Sequence, residues 1–129
     1  MIGYVTLGTK DLARGASFYD AIAAELGTGR MMEGDGFIAW GTRGGGAGIG
    51  LMKPYDGRPA SVGNGTMVAL EAKDEAQVQR LHAIALANGG SDEGAPGLRG
   101  GGFYAAYFRD PDGNKLNAFT MPQGSGGAD

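Results

Sequence analysis

Few side chains in this sequence are equipped for covalent or metal chemistry. There is no cysteine, which excludes disulfides, thiolate catalysis and Cys-ligated zinc, and His82 is the single histidine. His82 falls in the middle of "DEAQVQRLHAIALA", where the expectation is a structural role. The run "RGGGAGIG" (43–50) has the glycines of a phosphate loop but no Gly-Lys-Ser/Thr, so phosphate binding is not predicted. In "RDPDGNKLNAF" (109–119), Asp-Pro-Asp-Gly fits a tight turn feeding a strand. Within that strand an uncharged amide, Asn117, stands among Leu116, Ala118 and Phe119.

The elements that position these residues emerge when the chain is laid on itself. "YVTLGTKDLARGASFYDAIAAELG" (4–27) aligns with "MVALEAKDEAQVQRLHAIALANGG" (67–90). Val5 then meets Val68, Leu7 meets Leu70, Lys10-Asp11 meets Lys73-Asp74, and Gly27 meets Gly90. Each half reads as an alternating strand followed by an amphipathic helix. Asp11 and Asp74 are the expected N-caps, with Gln77 completing a capping box. Further on, "AWGTRGGGAGIG" (39–50) aligns with "AYFRDPDGNKLN" (106–117), two strand–turn–strand units in which Trp40 pairs with Tyr107 and Gly50 with Asn117. Another strand fits before each, near "GRMMEGD" and "GSDEGAPGLRG". The unit is β-α-β-β-β, present twice. The expectation is one α+β domain over 1–121, with modules of about 1–54 and 65–121 joined by linker 55–64. The Gly-rich residues 122–129 read as a flexible tail.

The 129 residues suffice for a real core. A formal net charge of −3 leaves no electrostatic footprint for nucleic acid or an anionic membrane. No apolar run approaches the ~18 residues of a membrane span. "MIGYVTLGTKDL" lacks the basic-then-apolar order of a signal peptide, so a cytoplasmic location is the default expectation.

A duplicated βαβββ unit carrying "YVTLGTKDLARGASFYDAIAAELG", "DGRPASVGNGTMVALEAKD" and "RDPDGNKLNAF" in this order resembles the vicinal oxygen chelate superfamily, the family of glyoxalase I, bleomycin-resistance proteins and extradiol dioxygenases. The resemblance covers residues 2 to 121. It implies a glyoxalase-like fold, two modules with curved mixed sheets around a cleft, and homodimerisation. It also implies a divalent metal held by His, Gln or Glu from the first and last strands of each module. Carried over position by position, those ligands fall on Tyr4, Met67, Asn117 and Gly50, with Ile49 or Leu51 as the alternatives if the last slips by one. A phenol, a thioether, an amide and a glycine are a poor set for Zn²⁺, Ni²⁺ or Fe²⁺, so no metal and no other cofactor is expected.

Strand alternation then assigns cleft-facing side chains. These are Tyr4 and Thr6 on the first strand, Met67, Ala69 and Glu71 on the fifth, and Lys115, Asn117 and Phe119 on the last. By the resemblance Tyr107 lines the pocket, with Phe103, Ala105 and Arg109 on the same face. By the repeat, Trp40 and Met52 are the first-half counterparts of Tyr107 and Phe119. The expected ligand-binding set is therefore Tyr4, Trp40, Met52, Met67, Tyr107, Arg109, Asn117 and Phe119, aromatic and thioether walls with a few polar points. Asn117 could equally be an amide satisfied by a neighbour such as Tyr4. Glu71 is the one carboxylate that alternation turns inward and the candidate general base, against an exposed position beside Lys73. "GLRGGGF" (97–103) reads as a lid or simply a loop. The leading expectation is a metal-free binder of a small apolar or aromatic molecule. The alternatives are a glyoxalase-type lyase or isomerase or a dioxygenase-like enzyme with a non-standard site, and a structural or interaction protein with a filled cleft.

Overall fold

Asp11 and Asp74 start the two helices as their positions suggest. The Asp11 carboxylate accepts from the Arg14 amide at 3.1 Å, and Asp74 accepts from the Gln77 amide at 2.8 Å. Gln77 Oε1 in turn accepts from the amide of Lys73, the residue before the N-cap, at 2.9 Å, a capping-box arrangement displaced by one residue. In a computed structural model describing residues 1–121, the first module runs β1 (Tyr4–Gly8), α1 (Leu12–Glu25), β2 (Gly29–Gly34), β3 (Phe37–Gly41) and β4 (Gly48–Met52). The second runs β5 (Val68–Glu71), α2 (Glu75–Ala87), β6 (Ser91–Leu98), β7 (Tyr104–Arg109) and β8 (Lys115–Thr120). The Gly-rich tail, expected to be flexible, lies outside the described residues.

Each module folds into a four-stranded mixed sheet, ordered β1-β4-β3-β2 in the first and β5-β8-β7-β6 in the second. The first strand pairs in parallel with the last, and the other pairings are antiparallel. The duplicated βαβββ architecture, α+β and glyoxalase-like, is therefore present. β1 and β5 are both sheet edges. One face of each sheet carries a helix, and α1 packs on α2. Leu7, Leu51, Leu70, Phe108 and Leu116 from the strands join Phe18, Tyr19, Val78 and Leu81 from the helices in one continuous core. Phe18 and Phe108 bring the modules together with ring centroids 6.3 Å apart. On the helix-free faces Tyr4 is 59% exposed, and Thr6, Ala69 and Glu71 are exposed too. These positions are thus not covered by the chain's own second sheet.

The Asp-Pro-Asp-Gly turn sets how the modules meet. Asp110 is buried, and its carboxylate accepts from the Tyr19 hydroxyl at 2.7 Å, the Asn114 side-chain amide at 2.9 Å, and the backbone amides of Asp112 and Asn114, both at 2.9 Å. Asp112 takes the Thr9 hydroxyl at 2.6 Å and the Lys10 amide at 2.8 Å, while Asn114 Nδ2 donates to the Gly8 carbonyl at 2.9 Å. The β7–β8 hairpin tip is thereby latched to the β1–α1 junction of the other module.

Burial, and then the Asp110 charge and hydrogen bond, push the Tyr19 phenol well above its ordinary value near 10. A raised folded-state value contributes stability that is fully present below pH ~10 and is lost as pH climbs through the folded value. Tyr19→Phe should be less stable than the parent at neutral pH by about 1 kcal/mol. That gap should narrow above pH ~10, where only the unfolded parent ionises its tyrosine. Urea titrations of both proteins from pH 7 to 11 check this, and a gap constant across that range would contradict it.

Candidate functional site

The helix-free face of the second sheet is built by the alternation of β7 and β8. Arg109 pairs across the strands with Lys115, Tyr107 with Asn117, and Ala105 with Phe119. β5 adds Ala69 beside Asn117 and Glu71 beside Phe119. At one end, Phe103 stacks on Phe119 with centroids 5.5 Å apart. At the other, the Arg99 guanidinium and the Lys115 ammonium both lie over the Tyr107 ring, 5.5 and 5.6 Å from its centroid. Arg109 is engaged by Glu93 at 3.1 Å and by the Gly113 carbonyl at 2.9 Å. In the middle, Asn117 is 1% exposed and its Oδ1 has no hydrogen-bond partner. The satisfied-amide alternative, with Tyr4 as neighbour, does not hold: Tyr4 is on the other sheet and 59% exposed.

The corresponding face of the first sheet carries Tyr4, Thr6, Phe37 and Met52. Thr6 pairs with Gly50, and Phe37 with Met52. A side chain at Gly50 would meet Phe37 at 3.0 Å and Thr6 at 3.3 Å, so this position is filled by its neighbours.

Trp40, expected on that face, is on the opposite one. It packs on Tyr19 with centroids 5.3 Å apart, and its Nε1 donates to Asp20 at 2.8 Å. Asp20 also takes a two-pronged contact from Arg30, both bonds 2.9 Å, and this guanidinium holds its carboxyl below the usual range. The reason is register. Ala39 pairs with Gly50 as Tyr107 pairs with Asn117, so Tyr107's true counterpart is Ala39 and Trp40 corresponds to Phe108. The β3–β4 connection is one residue longer than β7–β8, and a one-residue slip exchanges the two faces of a strand. Trp40 instead walls an apolar groove of about 320 Å³ between the modules, with Tyr19, Ile22, Ile49, Met67 and Val68. Met67, 41% exposed, borders this groove at the start of β5.

The remaining candidates separate. Glu71 is exposed on the open face, at the Phe119 end. His82 Nε2 lies 3.0 Å from Asp92 and its ring sits edge-on to Phe108, away from the open face. Its hydrogen bond, seconded by the Gly94 amide, lowers the Asp92 carboxyl from its usual range. "GLRGGGF" is the end of β6 and a hairpin tip: Gly100, Gly101 and Gly102 all take positive φ, and the Arg99 amide bonds the Phe103 carbonyl at 2.7 Å. Sequence reasoning missed Phe37 and Arg99. The alternation of Phe37-Ile38-Ala39-Trp40 could have found the first. The second comes from a β-hairpin tip, with no periodic signal.

The model of the Glyoxalase/Bleomycin resistance protein/Dioxygenase superfamily matches residues 1–118. The chain belongs to this superfamily. A glyoxalase/bleomycin resistance protein from Albidiferax ferrireducens T118 is 36% identical, with 95% of this chain and 99% of that one aligned and a TM-score of 0.87. A glyoxalase-related enzyme from Fulvimarina pelagi shares the fold at 22% identity, over 95% of this chain and 88% of that one, TM-score 0.76. So does a lactoylglutathione lyase from Agrobacterium tumefaciens at 22% identity, over 93% and 92%, TM-score 0.69. Among curated proteins, nothing matches this chain.

The superfamily's metal positions can be tested on the geometry. Asn117 has a free buried oxygen, but its neighbours on the open face are Tyr107, Ala69, Lys115 and Phe119, none of them an anionic or imidazole donor. Gly50 supplies no side chain, and Tyr4 offers only a phenol. Among the described residues no three His, Cys, Asp or Glu side chains cluster as a metal site would need. These residues do not fit a resident divalent ion. Among the described residues, too, no helix is long and apolar enough to cross a membrane.

Proposed function

We propose that this glyoxalase/bleomycin-resistance superfamily member is a metal-free binding protein for a small planar, apolar or aromatic molecule. The ligand lies on the helix-free face of the second sheet, its body over Asn117 between Tyr107 and Phe119. The observation that carries this reading is the buried, unpartnered Asn117 Oδ1 at the centre of an aromatic face. An unsatisfied buried carbonyl costs about 1–3 kcal/mol, and a ligand donor would recover that cost. The opposing wall is supplied by the helix-free face of the first sheet, Tyr4, Phe37 and Met52, of a second copy. Supporting a homodimer is the exposure, among the described residues, of Tyr4, Thr6, Ala69 and Glu71 on the two helix-free faces.

Calorimetry with a panel of planar aromatics tests the reading, using the parent and Asn117→Leu. The expected result is binding to the parent in at least one case, weakened tenfold or more in the variant. The melting temperature of the ligand-free variant should stay level or rise, because an unsatisfied polar group is removed. Sedimentation should give a dimer. One tightly held equivalent of Zn, Ni, Fe or Mn in the purified protein would defeat the metal-free part. Absence of binding throughout the panel would favour a structural protein whose faces serve only assembly. Glu71, exposed on the same face, is the one group that favours an enzyme. Turnover of a methylglyoxal–thiol adduct, abolished by Glu71→Gln, would establish the lyase instead.

A further inference from the structure

The open face of the second sheet is electrically lopsided. The protein as a whole is acidic, at −3, yet the Tyr107 end of this face gathers Arg99, Arg109 and Lys115 against a single carboxylate, Glu93. Glu93 is taken by Arg109. Among the described residues neither Arg99 nor Lys115 forms an ion pair. Arg99 turns its donors to the carbonyls of Gly97 and Ala95, at 2.8 and 2.6 Å, and so is fixed in place as a plate over Tyr107. Among the described residues Lys115 makes no such hydrogen bond, and its ammonium is engaged only by the Tyr107 ring. It is two residues along the strand from Asn117 and on the same face, and it borders a hollow of about 520 Å³ beside the loop from Val62 to Met67. The one anionic group on β5, Glu71, is at the opposite end, in register with Phe119. From the Lys115 end to the Glu71 end the face thus runs cation, amide, stacked aromatics, anion.

We propose that the ligand is a planar molecule carrying an anionic group, such as a carboxylate, that is held by Lys115. Its ring lies over Asn117 and against the Phe103–Phe119 pair. This inference rests on the binding function proposed above and adds the charge and direction of the ligand. An ammonium beside an aromatic wall attracts a carboxylate directly. The uncommitted charge of Arg99 adds to the local field. Glu71 repels the same group from the far end, so only one orientation is favoured.

The test uses three probes of one shape and different charge: 2-naphthoate, 2-naphthamide and 2-naphthylmethylammonium, titrated calorimetrically at pH 7 into the parent protein, Lys115→Met and Lys115→Arg. Lys115 is at the surface, and the melting temperature of each variant confirms folding. The expected result is that naphthoate binds at least tenfold tighter than naphthamide and the ammonium most weakly. Lys115→Met should bring naphthoate to the level of naphthamide while leaving naphthamide within twofold, and Lys115→Arg should keep the preference. Equal binding of naphthoate and naphthamide, unaffected by Lys115→Met, would overturn the anionic assignment and leave the binding function standing. No binding of any probe to the parent would overturn both.

Discussion

Asp110→Ala should destabilise the protein by about 3–5 kcal/mol, a loss on the order of 10 °C or more in melting temperature for a chain of this size. The size of the effect follows from what the carboxylate holds. Four donors converge on it, one of them from the other module, and it is 3% exposed. Alanine leaves the Tyr19 hydroxyl and two backbone amides without their acceptor in a site that water does not readily enter. Asp110→Asn keeps the shape and one acceptor oxygen, so it should lose clearly less. Tyr19→Phe combined with Asp110→Ala should cost less than the sum of the two, because both remove the same bond. Denaturant titration of the parent, the three single variants and the double variant measures this. A loss under 1 kcal/mol in Asp110→Ala would mean that the core, through Phe18 and Phe108, holds the modules together without the latch.

The same residues show what was legible beforehand. The Asp-Pro-Asp-Gly stretch declares a turn, because Pro, Asp and Gly act on the local backbone alone. Nothing local says that its carboxylates will bond Tyr19 and Thr9, about a hundred residues away in the chain. The repeat and the alternation of each strand were readable for a similar reason, since periodicity reports which side chains share a face. Tyr107, Arg109, Asn117 and Phe119 do share one. Periodicity does not report which faces meet. The helix-bearing faces came together inside the chain around one core, while Tyr4, Thr6, Ala69 and Glu71 on the faces expected to enclose a common cleft are exposed. Trp40 failed differently. Nine positions separate it from its partner Ile49, against eight between Phe108 and Leu116, and glycines in "TRGGGAG" gave no anchor by which to see the extra residue.

The helix ends offer the last case, and a second large effect. By their positions, Gly27 and the pair Gly89-Gly90 suit the ends of the two helices. In the structure the residues with positive φ after the caps are Gly27, at +79°, and Gly89, at +94°. Gly90 is there for another reason. A Cβ on it would lie 2.5 Å from the Arg109 carbonyl, 2.7 Å from the Ala85 carbonyl and 2.9 Å from the Phe18 ring. Two of these neighbours are backbone, and the Ala85 carbonyl already accepts the Gly90 amide at 2.8 Å, so relief requires α2 or β7 to move. Phe18 belongs to the other module, which spreads the strain across the contact between α1 and the second sheet. Gly90→Ala should therefore cost about 3 kcal/mol, the upper end of overpacking. Gly27→Ala, in open space, should cost only about 1 kcal/mol, for its backbone conformation. Measured side by side in urea, the two variants separate steric exclusion from conformational preference. Equal losses would show that the close approach at Gly90 is relieved by small shifts of α2 or β7.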